Sequence, residues 1–346
     1  MPQKVTIQDI ADALGLSRNT VSKAINNTGT LADATRERIL RKAQEMGYKQ
    51  FSYMQLSDSF FADQKKAEKL GNKREIALLF TGTLGGSHFA TTMIDRFQHD
   101  LSMLGFSLSI YRIMPEEIAS CRLPEALNLD KTAGILCVEV FDGPYCRMLC
   151  GLGIPLLMAD GPAIAFEGAF EADMLLMDNH IRVYEFVKEM VYRGKKTIGF
   201  VGNIRHCQSF YERYSALNQA AALYGMTETG SITDTVGDID ALKKKLDGTE
   251  LPEVYFCAND FVALDLMRAL KRKGLSVPED IWICGYDDSP ESRLVSPQLT
   301  SIHIHTQAIG QIATNMLYSR ILLPESNYCT TYVETHLIYR ESTGDY

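Results

Sequence analysis

The sequence predicts a protein of the α/β class in two parts: a helix-turn-helix of three short helices, then a core of two doubly wound parallel-sheet subdomains. Residues 6–48 show helical apolar spacing that glycines interrupt. From Glu75, continuous apolar strands alternate with helices, and the alternation restarts near residue 182. A chain of 346 residues is also long for a single core, so two or three domains are expected.

The first predicted helix lies close to the N-terminus. Thr6, with Asp9 three residues later, is typical of a helix N-cap. Gly15 is then expected to end the helix. Four residues at helical spacing form its apolar face: Ile7, Ile10, Ala11 and Leu14.

A second helix is predicted from Arg18 to about Asn26, with Ser17 as its N-cap. Three residues form its apolar side: Val21, Ala24 and Ile25. Four polar residues, none of them acidic, form the opposite face: Arg18, Asn19, Ser22 and Lys23. Guanidinium and amide groups bind base edges bidentately, and hydroxyl and ammonium groups bind phosphate. This face therefore predicts a helix that reads bases in the major groove.

A third helix is predicted at about residues 34–46, ending at Gly47. Its apolar residues are Ile39, Leu40, Ala43 and Met46, and its basic residues are Arg36, Arg38, Arg41 and Lys42. The first 50 residues carry eight basic and five acidic side chains, so their net charge is +3 against −11 for the remainder of a chain of net charge −8. A basic head on an acidic body would confine contact with a polyanion to the head.

Helix-turn-helix units also occur in proteins that never bind nucleic acid, so a purely structural three-helix unit is the alternative. Residues 4–48 closely resemble the DNA-binding head of the lactose-repressor (LacI/GalR-type) family, in VTIQDIADALGLSRNTVSKAIN and TRERILRKAQEMGY. The resemblance implies that Arg18, Asn19 and Lys23 contact bases. It implies phosphate contacts for four further residues: Thr6, Ser22, Asn26 and Thr35.

The remainder of the chain resembles the effector-binding core of the same family, which is similar to periplasmic sugar-binding proteins. The phrases that carry this resemblance include RGKKTIGFVGN, CANDFVALDLMRALKRKGLSVPEDIWICGYDD and LIYRES. The resemblance implies a periplasmic-binding-protein-like core of two subdomains that face each other across a cleft. The chain is then expected to cross between the subdomains near Met177, His305 and Tyr332.

These observations divide the chain into a DNA-binding head at 1–49, a linker or hinge at 50–74 and an effector-binding core at 75–346. The N-subdomain is expected at about 75–177 and 306–332, and the C-subdomain at about 178–305 and 333–346. The resemblance is weakest in the hinge, where Gln50 and Phe51 replace the family's Pro-Asn and Ser57 replaces its leucine. Either Met54 or Leu56 inserts into the minor groove, or this contact is absent.

Polar residues follow the predicted strands at their carboxyl ends, where open α/β sheets bind ligands. They are Thr81, Asp160, Asn203, Asn259, Asp260, Asp287 and Asp288. Together with Arg213 they suit a small polyhydroxylated ligand, because sugar hydroxyls both donate and accept hydrogen bonds. Each could instead cap a following helix, Asn259 and Asp287 especially. The family resemblance implies effector contacts by five residues: Phe89, Asp160, Arg213, Asn259 and Asp287. Thr81 and Asn203 are candidates by position alone.

Other features exclude several classes of protein. The eight cysteines form no CxxC pair and several lie in apolar runs, which is typical of reduced, buried thiols in a cytoplasmic protein. Neither a signal peptide nor an apolar run of 18 residues is present, so we expect no export and no membrane span. His303 and His305 share a strand face without a third metal ligand, and no nucleophile elbow occurs. We therefore expect no metal, cofactor or catalytic site.

The sequence thus predicts a transcription regulator that represses from a pseudo-palindromic operator in double-stranded DNA, acting as a homodimer, with a tetramer as the alternative. A small, sugar-like effector in the cleft would change the spacing of the heads. The identity of the effector, and whether it releases DNA or acts as a corepressor, stay open. The rivals are a solute-binding protein, an enzyme on the α/β core, and a family member that dispenses with DNA kinking or with a small-molecule effector.

Overall fold

The computed structural model describes residues 6–25, 35, 38–39, 42–43, 46, 73–82, 88–234 and 239–344, without the side chains of residues 25, 88 and 89. The chain forms two compact units, Met1–Gly71 and Asn72–Tyr346. The predicted hinge residues Met54 and Leu56 and the predicted phosphate contact Asn26 lie outside the described residues.

Helix α1 (Ile7–Leu14) begins at the predicted cap. The backbone N–H of Asp9 donates to Thr6 Oγ1 at 3.3 Å, and the backbone N–H of Thr6 donates to Asp9 Oδ2 at 2.7 Å. Gly15 follows the helix with a φ of +65°, a left-handed conformation that glycine adopts without strain. The predicted start and end of this helix are confirmed.

Helix α2 (Arg18–Ile25) follows Ser17, whose Oγ accepts a hydrogen bond from the backbone N–H of Thr20 at 3.1 Å. Residues 35, 38, 39, 42 and 43 are helical, but the bounds of the predicted third helix lie outside the described residues. Six buried side chains form the core of this unit: Ile10, Ala11, Val21, Ala24, Ile39 and Ala43. The described part of the predicted apolar faces therefore packs inward.

The second unit is built from strands and helices in alternation. The strands are β1 (Glu75–Phe80), β2 (Ser107–Arg112), β3 (Thr132–Val138), β4 (Leu156–Ala159), β5 (Asp173–Met177), β6 (Thr197–Val201), β7 (Thr227–Glu228), β8 (Val254–Cys257), β9 (Trp282–Cys284), β10 (Ser301–Ile304), β11 (Thr330–Val333) and β12 (Thr335–Ile338). The helices are α3 (His88–Met103), α4 (Pro115–Ala119), α5 (Gly143–Cys150), α6 (Ile164–Glu167), α7 (Ile181–Tyr192), α8 (Gln208–Tyr224), α9 (Ile239–Asp247), α10 (Asp260–Arg272), α11 (Pro290–Leu294) and α12 (Thr306–Leu322). A 3-10 turn at Glu341–Thr343 follows β12.

Two parallel sheets form the framework of this unit. The first has six strands in the order β11-β5-β4-β3-β1-β2, and the second has four in the order β7-β6-β8-β9. Strands such as β3 and β8 are buried along their whole length, because helices cover both faces of each sheet. The predicted α/β class with parallel sheets is confirmed.

Helices pack on both faces of the sheets. On the first sheet, α3 and α12 pack together, and Gly310 permits their close approach because a Cβ there would lie 2.5 Å from the Met93 carbonyl oxygen. Buried residues of α5 cover its other face. On the second sheet, α7 and α8 lie in one apolar cluster, and α9 and α10 lie in another.

Three connections join the two sheets. The chain leaves the first sheet after β5, returns at His305 between β10 and α12, and leaves again at Glu334 between β11 and β12. Strands β10 and β12 pair in antiparallel register, with His303 opposite His336. The carboxyl ends of strands from both sheets therefore lie near these connections, where a cleft forms.

A buried ion pair fixes the outer edge of the first sheet. Arg320 on α12 and Asp173 on β5 are 5% and 4% exposed, and two bonds of 2.8 Å join guanidinium and carboxylate. Arg320 also donates to the carbonyl oxygens of Pro324 and Asn327, at 3.2 and 2.8 Å. One guanidinium thus ties α12 to β5 and to the turn that leads into β11.

We expect Asp173→Ala to lower the free energy of unfolding by about 3 kcal/mol, because it leaves a buried guanidinium without its counter-charge. Urea denaturation of the wild type and the variant measures this difference. Asp130→Ala is the matched control, since Asp130 is an exposed carboxylate. Equal urea midpoints for Asp173→Ala and Asp130→Ala would contradict the structural role of the pair.

Candidate functional site

The first candidate site is the polar face of α2. Arg18, Asn19 and Lys23 are exposed, and Ser22 is half-buried. Val21 and Ala24 point into the core at 0% and 1% exposure, which turns the polar residues outward. The first turn of α2 contains no acidic residue, so no carboxylate on that turn would repel phosphate.

The predicted phosphate contacts have different surroundings. Thr6 is exposed, and its hydroxyl donates to Asp9 Oδ2 at 2.7 Å as part of the cap of α1. Thr35 is helical and half-buried. Thr6 therefore lies on the surface with its hydroxyl and its backbone N–H bonded to Asp9, and its contact with phosphate stays a prediction.

The second candidate site is a cavity of about 520 Å³ between the ends of the two sheets. On the side of the first sheet it is lined by Thr92, Glu139, Phe141 and Asp160, and at the connections by Met177, His303, Ile304 and Thr306. On the side of the second sheet it is lined by His206, Cys207, Ser209, Phe210, Arg213, Asn259, Phe261, Asp287, Asp288, Ser289 and Pro290. The structure therefore brings four of the predicted effector contacts together: Asp160, Arg213, Asn259 and Asp287.

Arg213 is the most constrained residue of the cavity, with only 2% of its surface exposed. Its Nε donates to Asn179 Oδ1 at 2.9 Å, and its Nη1 donates to the Ala258 carbonyl oxygen at 2.5 Å. The guanidinium lies over the ring of Tyr286, 3.4 Å from the ring centroid. These contacts hold the guanidinium in one orientation and leave Nη2 3.8 Å from Asp287 Oδ1.

Asp287 lies just after β9 with a φ of +104°. The alternative that Asp287 caps the following helix is wrong, because Ser289 caps α11 by accepting from the backbone N–H of Ser292 at 3.2 Å. Burial raises the pKa of Asp287 to about 8; Arg213 opposes the shift, and the carboxylates of Asp260 and Glu139 add to it. The side chain therefore faces the cavity as a carboxyl that ionises with difficulty.

Asp160 lies at the end of β4 and is 8% exposed. Its Oδ1 accepts from the backbone N–H groups of Gly161 at 2.8 Å and Ser209 at 3.3 Å. Burial raises the pKa of Asp160, and these hydrogen bonds oppose the shift. Because Ser209 is in the first turn of α8, Asp160 connects the first sheet to a helix of the second.

The other residues that were predicted to contact the effector lie in different surroundings. Asn259 lines the cavity and also caps α10, since its Oδ1 accepts from the backbone N–H of Val262 at 3.0 Å. Thr81 and Asn203 do not line the cavity. Thr81 donates to the Glu139 carbonyl oxygen at 2.8 Å, and Asn203 Oδ1 accepts from a backbone N–H two residues on, at 3.0 Å. The side chain of Phe89 lies outside the described residues.

Sequence reasoning missed Glu139 and the aromatic walls of the cavity. Phe141, His206 and Phe210 form a row of rings, with centroids 4.8 and 5.2 Å apart. Burial lowers the pKa of His206, so this ring is held in its neutral form. Glu139 directly follows the apolar strand GILCV. The rule that selected polar residues after the other strands would therefore have identified Glu139 as well.

Asp288, next to Asp287, lines the cavity and belongs to a network of charges. Its carboxylate pairs with Arg293 and Arg340, and accepts from His303 Nδ1 at 3.0 Å. Although burial alone would raise the pKa of Asp288, the hydrogen bonds from the two arginines bring it below its ordinary value. Adjacent carboxyls thus have opposite electrostatic environments, one neutralised by cations and one facing the ligand space.

Comparisons with known proteins find matches for both parts of the chain. Residues 6–50 match the bacterial regulatory proteins of the lacI family, and residues 187–343 match the periplasmic binding protein-like domain. The HTH-type transcriptional repressor PurR of Haemophilus influenzae (strain PittEE) is 28% identical over 352 residues, covering 97% of this chain and 98% of that protein.

Solved structures show the same architecture. The transcriptional regulator CelR–cellobiose complex has a TM-score of 0.67 at 23% identity, with 98% of this chain and 100% of that chain covered. The lac repressor dimer bound to operator and the anti-inducer ONPF has a TM-score of 0.66 at 20% identity, with 99% and 100% covered. These likenesses concern the fold.

A helix-turn-helix joined to a periplasmic-binding-protein-like core defines a transcription regulator, not an enzyme. The head of the chain thus matches the bacterial regulatory proteins of the lacI family, its core matches the periplasmic binding protein-like domain, and the relatives that it resembles along almost its whole length are transcriptional repressors. Among the helices within the described ranges, none has both the length and the apolar character to cross a lipid bilayer.

The raised pKa of Asp287 predicts a pH dependence of stability. Because the folded protein holds this proton up to about pH 8, the stability that protonation contributes is complete below the ordinary carboxyl pKa of 3.8 and is lost as the pH rises toward 8. In the variant Asp287→Asn, the side chain at this position cannot ionise. The melting temperature of the variant should therefore exceed that of the wild type, and the difference should grow between about pH 5 and pH 8.

Differential scanning calorimetry across this range measures the margin. Asp130→Asn, which removes an exposed carboxylate, should show a margin that does not grow with pH. A constant margin for Asp287→Asn would show that Asp287 ionises at an ordinary pKa in the folded protein.

Proposed function

We propose that this protein is a repressor that binds a pseudo-palindromic operator as a dimer and is switched by a small, hydroxyl-rich effector in the cleft. The observation that carries the effector part is the placement of Arg213 and Asp287. A guanidinium that is 2% exposed and fixed on Tyr286 lies 3.8 Å from a carboxyl at the wall of a cavity of about 520 Å³. Preorganised donors and acceptors of this kind suit adjacent hydroxyl groups.

The DNA-binding part of the proposal rests on α2. We assign base contacts to Arg18, Asn19 and Lys23, which are exposed on the face opposite Val21. Phosphate contacts are assigned to Thr6, Ser22, Asn26 and Thr35. One recognition helix reads one half-site, so two heads related by a two-fold axis require two half-sites. The repressor names of the relatives support this assignment.

For the organisation of the chain, we propose a head at 1–49, a hinge at 50–74 and a core at 75–346. The N-subdomain comprises about 75–177 and 306–332, and the C-subdomain about 178–305 and 333–346. The support is that β1 to β5 and β11 form one sheet, whereas β6 to β9 form another. A minor-groove contact by Met54 or Leu56, or its absence, rests on the sequence alone.

In this proposal, the conformational switch is a change in the orientation of the two sheets relative to each other. Several hydrogen bonds cross from one side of the cleft to the other. The backbone N–H of Ile164 donates to Gln208 Oε1 at 2.8 Å, and Tyr332 Oη donates to Glu212 Oε1 at 2.8 Å. A ligand that binds both walls would strengthen one relative orientation, and a coupling of a few kcal/mol alters occupancy of DNA by orders of magnitude.

The effector proposed is sugar-like. The cellobiose named with CelR supports a carbohydrate, and the PurR and ribose operon repressor names show that related chains serve different regulons. The cavity supports a molecule of monosaccharide to disaccharide size. Asp160, Asn259 and Asp287 supply acceptors, while Phe89 is proposed as a further wall.

The base-reading assignment is tested with the double substitution Arg18→Ala, Lys23→Ala. The native protein is first used to select a tightly bound operator from a pool of random DNA duplexes. Because each base contact contributes about 1–3 kcal/mol, the affinity of the double variant for the selected duplex should fall by at least about thirtyfold. Fluorescence anisotropy at fixed salt measures it.

The matched control removes two positive charges from the core, by Arg122→Ala and Lys188→Ala, both of which are exposed. This control should bind the selected duplex as the native protein does. If the head variant also kept its full affinity, α2 would not be the recognition helix.

The effector site is tested by thermal shift against sugars, sugar phosphates, nucleosides and amino acids. A ligand that binds only the folded protein raises its melting temperature by mass action. We expect at least one hit with the native protein, lost in both Arg213→Lys and Asp287→Asn and kept in Arg122→Ala. Arg213→Lys retains the charge and removes the planar fork, so it tests geometry with least risk to folding. Hits that survive both cleft substitutions would place the effector elsewhere.

A further inference from the structure

Glu212 is a buried carboxylate that accepts hydrogen bonds from three separate segments of the chain. It lies on α8, directly before Arg213, and is 6% exposed. Its Oε1 accepts from Tyr332 Oη at 2.8 Å and from Gln208 Nε2 at 2.9 Å, and its Oε2 accepts from Asn179 Nδ2 at 2.7 Å. All three donors are neutral groups. Because a buried carboxylate needs its donors, the loss of any one of them weakens the whole arrangement.

One of the three hydrogen bonds leads to the effector site through Asn179. This residue is 0% exposed and lies in the segment between β5 and α7. Its Oδ1 accepts from Arg213 Nε at 2.9 Å, while its Nδ2 donates to Glu212. A carboxylate only accepts and a guanidinium only donates, so a single orientation of the amide satisfies both neighbours. Glu212 thus fixes the amide that in turn fixes the guanidinium.

The other two hydrogen bonds lead to the six-stranded sheet. Tyr332 lies on β11, which pairs with β5 in that sheet. Gln208 Oε1 accepts from the backbone N–H of Ile164, at the start of the helix that follows β4, at 2.8 Å. Glu212 itself lies on a helix that packs on the four-stranded sheet. Its hydrogen bonds therefore depend on the position of the two subdomains relative to each other.

The bond from Tyr332 is the one that a change of orientation breaks at least cost. The side chain of Tyr332 is 47% exposed, so its hydroxyl can bond to water when it leaves the carboxylate. Asn179 and Gln208 are 0% and 9% exposed, and their amides lack this alternative. The orientation that keeps Tyr332 on Glu212 is therefore the orientation in which Arg213 is held most firmly.

We infer that Glu212 is a positioning residue that couples the guanidinium of Arg213 to the relative orientation of the two subdomains, and that the hydroxyl of Tyr332 carries this coupling across the cleft. The inference deepens the proposed function and rests on it for its consequence. An effector that binds Arg213 favours the orientation in which Tyr332 bonds to Glu212, and this preference is passed to the heads.

The test measures hydrogen exchange by NMR in deuterated, ¹⁵N-labelled full-length protein. The reporter is the Nε–H of Arg213, whose signal is identified by its absence in Arg213→Lys. This hydrogen exchanges only when its bond to Asn179 opens. In Tyr332→Phe and in Glu212→Gln, we expect its exchange to be at least about tenfold faster, as the loss of one hydrogen bond to a charged group provides. Tyr332→Phe keeps the ring and removes only the hydroxyl.

A second reporter is the backbone N–H of Ile164, which bonds to Gln208 across the cleft. Its exchange should also become faster in Glu212→Gln, because the carboxylate orients the amide of Gln208. The backbone N–H of Ile135 is the reference, since it donates to the Pro155 carbonyl oxygen within the first sheet, and its exchange should stay unchanged.

Matched controls remove the same chemical groups elsewhere. Tyr192→Phe removes the hydroxyl of a tyrosine that is 87% exposed, and Glu125→Gln removes an exposed carboxylate. Both should keep the native exchange rate at Arg213. Because the variant Tyr332→Phe changes a half-exposed hydroxyl, it provides the test even if Glu212→Gln does not fold.

Three outcomes would overturn the inference. Native exchange at Arg213 in Tyr332→Phe would overturn the coupling across the cleft. Native exchange in Glu212→Gln would overturn the positioning role of the carboxylate. An equal acceleration at Ile135 would show a general loss of stability and overturn a specific role. None of these results bears on whether a ligand binds in the cleft, which the thermal-shift screen decides separately.

Discussion

The burial of Arg213 is the constraint on which the cleft depends. A guanidinium withdrawn from water is stable only with partners, and its partners come from separate segments. Asn179 lies where the chain first leaves the six-stranded sheet, Ala258 directly follows β8, and Tyr286 follows β9. Tyr286 in turn donates to the Asp178 carbonyl oxygen at 2.9 Å. One cation thus holds a connecting segment and two strand ends in register, and the ligand site is built on that arrangement.

Backbone strain is concentrated at the same site. Among the described non-glycine residues, five have positive φ, and four of these line the cavity: Glu139, Asp160, Asp287 and Asp288. Each follows a strand closely, and a left-handed residue there changes the direction of the chain at the end of the strand, where the cavity lies. Such residues cost about 1–3 kcal/mol each and persist where function requires them. Gly285 lies two residues before Asp287. It has no room for a side chain, because a Cβ there would lie 2.2 Å from Asp260 Oδ1.

The sequence predicted the alternation of elements well, because buried parallel strands are continuously apolar. The alternation predicted from Glu75 begins with β1 at Glu75–Phe80 and continues with α3 at His88–Met103. The sequence predicted the residues that line the cavity less completely. A position after a strand does not fix where a side chain points: Asn203 bonds to its own turn and Thr81 to the Glu139 carbonyl, so neither reaches the cavity. Phe141 and Phe210 were missed because an aromatic residue of a ligand wall has the same pattern as one of a core.

Charge connects the two functional parts of the chain. The first 50 residues carry a net charge of +3 and the remainder −11, so phosphates are attracted to the head and repelled by the core. An acidic core therefore disfavours contact with DNA outside the head, so the distribution of charge along the chain directs the polyanion to the helix-turn-helix.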